Sequence, residues 1–346
     1  LGFFDGRLNI GGDFYYKKTT DLFTNVDVSP INGITSYIMN NGDMLNKGFS
    51  ISLNGYPVKT KNFRWYMSTY YSVNLNKVQT DDARNYNLND YLNGTAVVSG
   101  QPISTFYSYK FLGLNPQNGA PMFDDWEDRW HLLQGKTLDE VVPMILVNSG
   151  TRDPKFSGDL NNTFTYKNWS LSLNFSYSLG SKVRLFEMYG PIINGISAAA
   201  NVREEFLDRW QVPGDEKYTV YPSIISPSSP DYEHYRLHYS APQRAVGPNS
   251  GVPAFANNVW QMYDDSDLRV VSGNYLKLQS LSFSYRLNDR LLRKTPFTQL
   301  SISFNTHNCF TISAKELRGQ DPSQAGFADA GLSIRPSYTI GLNVSF

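Results

Sequence analysis

The amino-acid sequence predicts an all-β chain that forms part of a transmembrane antiparallel β-barrel. Three observations lead there. Long segments alternate strictly between apolar and polar residues, aromatic residues make up 14% of the 346 positions, and the connections between alternating segments are in turn short and long. Neighbouring side chains on a strand point to opposite faces, so such alternation marks a strand with one apolar and one polar face. Strands of soluble domains usually run about 5 to 6 residues, whereas several segments here reach the roughly 9 to 11 that a tilted strand needs to cross a bilayer. No stretch approaches the roughly 18 consecutive apolar residues of a membrane helix, and no basic-then-apolar leader opens the chain at Leu1. Helical spans are therefore not expected.

Strands are predicted over 7–23, 48–58, 63–78, 104–115, 119–123, 157–166, 169–180, 274–287, 297–306 and 337–346. In the third, Phe63, Trp65, Met67, Tyr71, Val73 and Leu75 oppose Arg64, Tyr66, Ser68, Tyr70, Ser72 and Asn74. The seventh has the cleanest pattern, with Trp169, Leu171, Leu173, Phe175, Tyr177 and Leu179 on one face and Ser or Asn at every position between. Phase changes near Ser280-Leu281, which predicts a bulge. The last strand alternates from Tyr338 to Phe346, and aromatic residues at the ends of the apolar faces suit interfacial girdles. Short connections at 59–62, 116–118, 167–168 and 288–296 alternate with long ones at 24–47, 79–103, 124–156, 181–273 and 307–336. Outer-membrane barrels have short periplasmic turns and long extracellular loops, so an even count places the C-terminus on the periplasmic side.

The longest loop, 181–273, must carry structure of its own. Ser197 is a candidate cap for one short helix in which Ala199, Val202, Phe206, Leu207 and Trp210 form an apolar stripe ending near Pro213-Gly214. Beyond it, 221–253 reads as irregular extracellular surface. Trp126, Trp130, Trp210, Trp260 and Tyr263 fall in long loops, where burial against lipid cannot explain them. They are the candidate ligand contacts, through stacking on sugar rings or gripping peptide side chains; pinning the loops together is the plainer alternative.

Chemistry at a catalytic centre finds little support. His234 and His238 have the spacing of two ligands on one helical face, but the H-E-x-x-H order is missing and prolines flank the segment. His131 stands alone, Cys309 lacks a partner signature, and there is no G-x-S-x-G elbow. No enzyme, metal site or cofactor is expected. The acidic runs Asp124-Asp125-Trp126-Glu127-Asp128 and Asp264-Asp265-Ser266-Asp267 match no calcium-loop spacing and read as charged, solvated loop. Net charge is zero, with 31 basic and 31 acidic residues, so a nucleic-acid partner is not indicated.

Particular strings carry more than the pattern. Asn9-Ile10-Gly11-Gly12-Asp13-Phe14, continuing through 22, and Asn41-Gly42-Asp43-Met44, continuing through 49, resemble the SusC/RagA family of TonB-dependent outer-membrane transporters. The segment 275–285, the turn Gly319-Gln320-Asp321-Pro322 and the terminal strand 338–346 resemble the same family; His307-Asn308-Cys309-Phe310 departs from its usual Asn-Leu-Phe string. The resemblance implies that 1–346 is a C-terminal part of a 22-stranded barrel, roughly its last half, in the bacterial outer membrane, with the plug domain outside this sequence. It further implies energised import of an oligosaccharide or peptide. The implied partners are a SusD-like surface lipoprotein, TonB acting through the N-terminal part, and the surrounding lipid and lipopolysaccharide. Tyr338 and Phe346 would serve as a C-terminal assembly signal. A self-contained ten-stranded barrel, or a non-transporting subunit of an outer-membrane assembly, is the alternative.

Overall fold

The computed structural model describes residues 1–27, 36–40, 42–79, 86–136, 138–192, 201–224, 227–237, 245–246, 252–253, 258–324 and 335–346. Eight long strands lie side by side in chain order in one antiparallel sheet: β1 (Leu8–Thr19), β2 (Asp43–Lys59), β3 (Phe63–Gln79), β4 (Phe156–Tyr166), β5 (Trp169–Leu179), β6 (Tyr275–Arg286), β7 (Gln299–Ser313) and β8 (Ser337–Ser345). A two-residue strand, Gly2–Phe3, pairs with the outer edge of β1. No described helix is long and apolar enough to cross a membrane.

Register turns the alternation of single strands into two continuous faces. One line of cross-strand partners runs Trp65, Phe164, Leu171, Phe283, Phe304 and Ile340 from β3 to β8. The adjacent line on the other face runs Tyr66, Thr163, Ser172, Ser282, Asn305 and Thr339. The apolar face is solvent-exposed in the isolated chain, with Phe14 at 78% and Ile340 at 81%. A continuous exposed apolar face of this extent has to meet another apolar phase; the polar face lines the interior. Aromatic clusters sit at both ends of the apolar face. Near the short turns, Trp65 stacks on Phe164 at 5.7 Å and Trp169 packs on Tyr285 at 4.2 Å; near the long loops, Tyr71 lies 5.9 Å from Phe49 and 6.1 Å from Phe156. Asn162 is a polar residue in the apolar face, and its amide oxygen is satisfied by Trp65 Nε1 at 3.0 Å.

Two glycines fix how closely the strands approach. At Gly48 an added Cβ would strike the Val73 carbonyl and the Tyr15 phenol, and at Gly158 the Tyr70 carbonyl and the Tyr177 phenol. Each tyrosine crosses over its glycine: Tyr15 Oη donates to Asn74 Oδ1 at 2.9 Å and Tyr177 Oη to the Tyr70 carbonyl at 3.3 Å. A larger residue would displace the ring and shift the local register. The expected bulge is present at Gln279, which has no cross-strand partner while Leu278 pairs with Phe175 and Ser280 with Asn174. Across from it the β7 ladder also skips, over Asn308 and Cys309, with Asn308 left-handed at φ 55°. The string that departs from the family pattern is thus the partner of the bulge.

Two of the ten expected strands do not belong to this sheet. The segment 104–115 splits into Thr105–Tyr109, which pairs with Leu146–Thr151, and Phe111–Leu114, which pairs with Pro121–Phe123. Every residue of Thr105–Tyr109 is buried. A membrane strand would show one exposed apolar face, so this is a strand of a folded loop region. Because two strands drop out together, parity survives: 60–62, 167–168 and 287–298 stay short, 20–42, 80–155, 180–274 and 314–336 are long, and β8 still ends beside a short turn. Phe346 packs on Phe297 of that turn at 5.2 Å.

The sheet is open, since the described residues show no pairing between the Gly2–Phe3 edge and β8. An open edge cannot lie in hydrocarbon, where water cannot satisfy its N–H and C=O groups. Among the described residues the sheet holds eight long strands and one short one, not ten, and does not close on itself.

Candidate functional site

The connections after β3 and after β5 fold into one assembly at the long-loop end of the sheet. Its core joins Leu92, Tyr107, Tyr109 and Val141 of the connection after β3 to Met188, Phe206, Trp260 and Tyr263 of the connection after β5. The six-residue helix Val259–Asp264 sits at its centre. Asn258 caps this helix by accepting from the Gln261 N–H at 2.7 Å, and Val259, Trp260, Met262, Tyr263 and Asp264 are all buried. Polar residues stitch the layers. The Asp264 carboxylate accepts from the backbone N–H groups of Met188, Tyr189 and Gly190 at 2.8–2.9 Å. Burial pushes this carboxyl up, against the pull of Arg269 and of the three N–H donors.

Arg184 is the main tie between the two connections. Its guanidinium donates to the Leu92 and Tyr107 carbonyls at 2.8 and 2.6 Å, to Ser108 Oγ at 2.9 Å and to Asp265 Oδ1 at 2.8 Å. The connection after β7 is fastened to the same unit through the Gly319-Gln320-Asp321-Pro322 turn. Gln320 accepts from the Phe186 N–H and donates to the Arg184 carbonyl, and Asp321 pairs with Lys277 of β6 at 3.1 Å, both side chains being buried.

Beneath this assembly lies the polar face of the sheet, built mostly of Ser, Thr, Asn and Tyr, with charged side chains such as Asp13, Arg64, Asp159 and Lys277 among them. Neighbours bond across strands, as where Thr163 meets Ser172 at 3.2 Å and Ser282 donates to Asn305 at 2.7 Å. On the assembly itself a cleft of about 420 Å³ is lined by Gln117, Asn118, Arg209, Trp210, Gln211, Ser223 and Asp231, among others. Trp210, 7% exposed, is the one tryptophan in this lining. The indole is held against Gly119, where an added Cβ would collide with the ring, and its Nε1 points to Glu216 at 3.4 Å. The amide, guanidinium and carboxylate groups of this lining can hydrogen-bond a polar ligand from several sides.

The five candidate aromatics therefore have unequal positions. Trp260 and Tyr263 are 3% and 0% exposed and pack on Tyr232 and Tyr189. Trp126 is buried beneath Arg129, whose guanidinium lies 4.2 Å from the ring centre. In this arrangement those three pack into the core of the loops. Trp130 is half-buried against the same core, while Trp210, 7% exposed, and Tyr263 each line a cleft. At the C-terminus, Tyr338 stacks on Phe304 at 6.4 Å on the apolar face, and Phe346 is exposed apart from its contact with Phe297.

Other expectations change. The predicted helix from Ser197 lies partly outside the described residues; within them, 204–208 is a short 3-10 turn that buries Phe206 and leaves Leu207 at 73% exposure. A continuous stripe does not form because the chain becomes extended at Arg209. The acidic runs are bound into structure: Asp124 grips Arg129 at 2.6 Å, Asp264 is buried, and Asp267 pairs with Lys110 and the Phe111 N–H. His131 and His234 are exposed, and His238 lies outside the described residues. Among the described residues no group of His, Cys, Asp and Glu is arranged to hold a metal ion. Sequence reasoning missed Arg184 and the cleft amides, which come together from distant segments and carry no local motif; it marked the turn that holds Gln320 but not what Gln320 binds.

No family model matches the chain. Among curated proteins the chain is 24% identical over its whole length to TonB-dependent receptor P3 of Formosa agariphila and 23% identical to receptor P39 of the same organism. It spans about a third of the length of each. It is 28% identical over 207 residues, 56% of this chain, to TonB-dependent receptor SusC of Bacteroides thetaiotaomicron. Among solved structures, one described as the RagAB peptide transporter covers the whole chain at a TM-score of 0.68 and 20% identity, with 34% of that chain matched. That likeness shows a common fold. The relatives carry the names of receptors and transporters, and the RagAB match extends through the loop assembly as well as the strands. Over its full length the chain is thus similar in sequence to TonB-dependent receptors and shares the fold of a barrel portion of the RagAB transporter.

Proposed function

We propose that the chain forms one wall and part of the extracellular mouth of an outer-membrane importer for a neutral, hydrogen-bond-rich nutrient, an oligosaccharide or a peptide. One observation carries this reading: the interior face of eight adjacent strands is rich in Ser, Thr and Asn hydroxyl and amide groups, with charged side chains the minority, beneath a folded cap. Such a wall offers many weak, exchangeable hydrogen bonds, which suits passage of a polar solute. Catalysis has no part in it. Energy from TonB and capture by a SusD-like lipoprotein belong to the complete protein.

The partner would meet the excursion 207–221, whose ends are joined by the Trp210 N–H to the Tyr221 carbonyl and by Thr219 Oγ1 to the Asp208 carbonyl. It presents Leu207, Val212 and Tyr218 to solvent, Tyr218 at 90%. The short-turn end would face the periplasm, with Tyr338 and Phe346 forming the assembly signal.

The cleft that includes Trp210 is the proposed ligand contact in this part of the mouth. The test is a Gln117→Ala, Asp231→Ala double variant of the complete transporter with its partner, assayed for binding of a panel of neutral oligosaccharides and oligopeptides. Loss of hydrogen bonds that include a carboxylate, at roughly 1.5 to 3 kcal/mol, should weaken binding about tenfold or more without altering barrel insertion. Unchanged affinity for every ligand that the parent binds would overturn the assignment of the cleft.

A further inference from the structure

The short-turn end of the sheet has a second cleft, unrelated to the loop assembly. Its volume is about 420 Å³, and Phe4, Arg7, Leu8, Leu53, Gly55 and Met67 line it together with Tyr56 and Pro57. Register puts Leu8, Leu53, Gly55 and Met67 on the apolar face, as cross-strand partners at neighbouring positions of β1, β2 and β3. The cleft has a structural cause. The β2 ladder skips between Gly55 and Val58, so two residues, Tyr56 and Pro57, bow out opposite one. At Gly55 the β1 backbone passes so close that an added Cβ would collide with the Arg7 carbonyl, so only glycine fits beside the bulge.

Cations surround this apolar hollow. Arg7 lines it, and Lys59 lies over the Tyr56 ring with Nζ 5.3 Å from its centre. The short turns as a whole carry Lys61, Lys167, Arg290, Arg293 and Lys294 against the carboxylates Asp5 and Asp289. An apolar groove opening onto the lipid-facing surface, with fixed cations at the membrane boundary, has the two-part chemistry of a lipid with an anionic headgroup. A sugar or peptide would find few hydrogen-bonding groups among these side chains.

We propose that this cleft binds one anionic glycerophospholipid of the leaflet next to the short turns. The acyl chain lies along Leu8, Leu53, Gly55 and Met67, and the phosphate is held by Arg7 and Lys59. The inference rests on the barrel reading of the apolar face and is independent of which nutrient passes the lumen.

The experiment uses the complete protein, delipidated in detergent and offered phosphatidylglycerol or phosphatidylcholine, with retained lipid counted by native mass spectrometry. The parent should retain one phosphatidylglycerol at lipid levels where phosphatidylcholine is washed off. Arg7→Gln and Lys59→Gln should each weaken retention about fivefold, the change expected for one cation worth about 1 kcal/mol at a membrane surface. Leu53→Trp, which fills the hollow and keeps both charges, should abolish the retained lipid while heat-modifiable migration shows an intact barrel. Equal retention of the two lipids, or retention that survives both charge removal and filling, would overturn the site. Failure of the import reading would leave these outcomes untouched.

Discussion

At the scale of single residues, the loop assembly depends on buried charges whose role the sequence half-disclosed. The run from Asp264 to Asp267 stands out in the sequence, but its composition suggests a solvated surface, and only the fold shows three backbone N–H groups converging on Asp264. Asp265 makes the sharper case. Burial pushes its carboxyl up from 3.8 to about 6, with Asp264 and Glu187 adding to the rise and Arg184 only partly offsetting it. Between about pH 4 and 6 the folded assembly therefore holds a proton that the unfolded chain has released. Stability linked to Asp265 is greatest at the acid end of that window and is lost as pH rises through the folded value, by at most about 3 kcal/mol at roughly 1.4 kcal/mol per unit. Hydrogen exchange of the amides around Leu92 and Tyr189, corrected for intrinsic rates, should show fewer openings at pH 5 than at pH 7. Asp265→Asn, which mimics the protonated form, should flatten that difference; an undiminished difference in the variant would assign the effect to another group.

At the scale of elements, the eight barrel strands were legible because a bilayer imposes a regular demand on sequence. One face must be apolar over some ten residues, and that demand is met from Trp169 to Leu179 without interruption. The two misplaced strands show the limit of this reasoning. Thr105–Tyr109 also alternates, but its partner Leu146–Thr151 lies within what the sequence offers as loop, and burial on both faces cannot be seen from one strand alone. Strand ends were also underestimated: β2 begins at Asp43 and β7 runs on to Ser313, because backbone pairing extends past the apolar band into polar residues. Register now sharpens a test of the faces. Leu173 stands between Asn162 and Leu281 on the apolar face, while Ser172 stands between Thr163 and Ser282 on the polar one. Arg at Leu173 should cost about 2 to 4 kcal/mol in bilayer refolding, the range for a cation near the midplane of a lipid face. Arg at Ser172, which points into the water-filled side, should cost far less, and equal costs would mean that the two faces have been exchanged.

At the scale of the whole chain, the separation between wall and cap explains why fold and site were unequally readable. The wall is a repeat of local rules, whereas the cap is assembled from connections that are far apart in sequence and meet at Arg184. That residue is 184 positions into the chain yet bonds to Leu92, Tyr107 and Asp265, so nothing near it in sequence announces its partners. The aromatic candidates were found by the same local reasoning and suffered from it: excess tryptophan in loops was visible, but not that Trp260 and Tyr263 fill a core which the loops make for themselves. If the cap is one cooperative unit, loss of its central tie should loosen both connections at once. Arg184→Met keeps much of the side-chain volume and leaves two carbonyls and the Asp265 carboxylate without their donor. Breaking a buried pair in this way typically costs about 3 to 5 kcal/mol. Limited proteolysis of the variant should then cut within 86–151 and within 185–264 at similar rates, while the fragments carrying β4 to β8 stay protected by pairing and by lipid. A cap made of independent loops would behave differently, since the connection after β5 would be cut and that after β3 would remain resistant. Combining the variant with Asp265→Asn separates the two components further: if the unpaired carboxylate dominates the loss, the second change should restore much of the protection, and if the carbonyl contacts dominate, it should restore little.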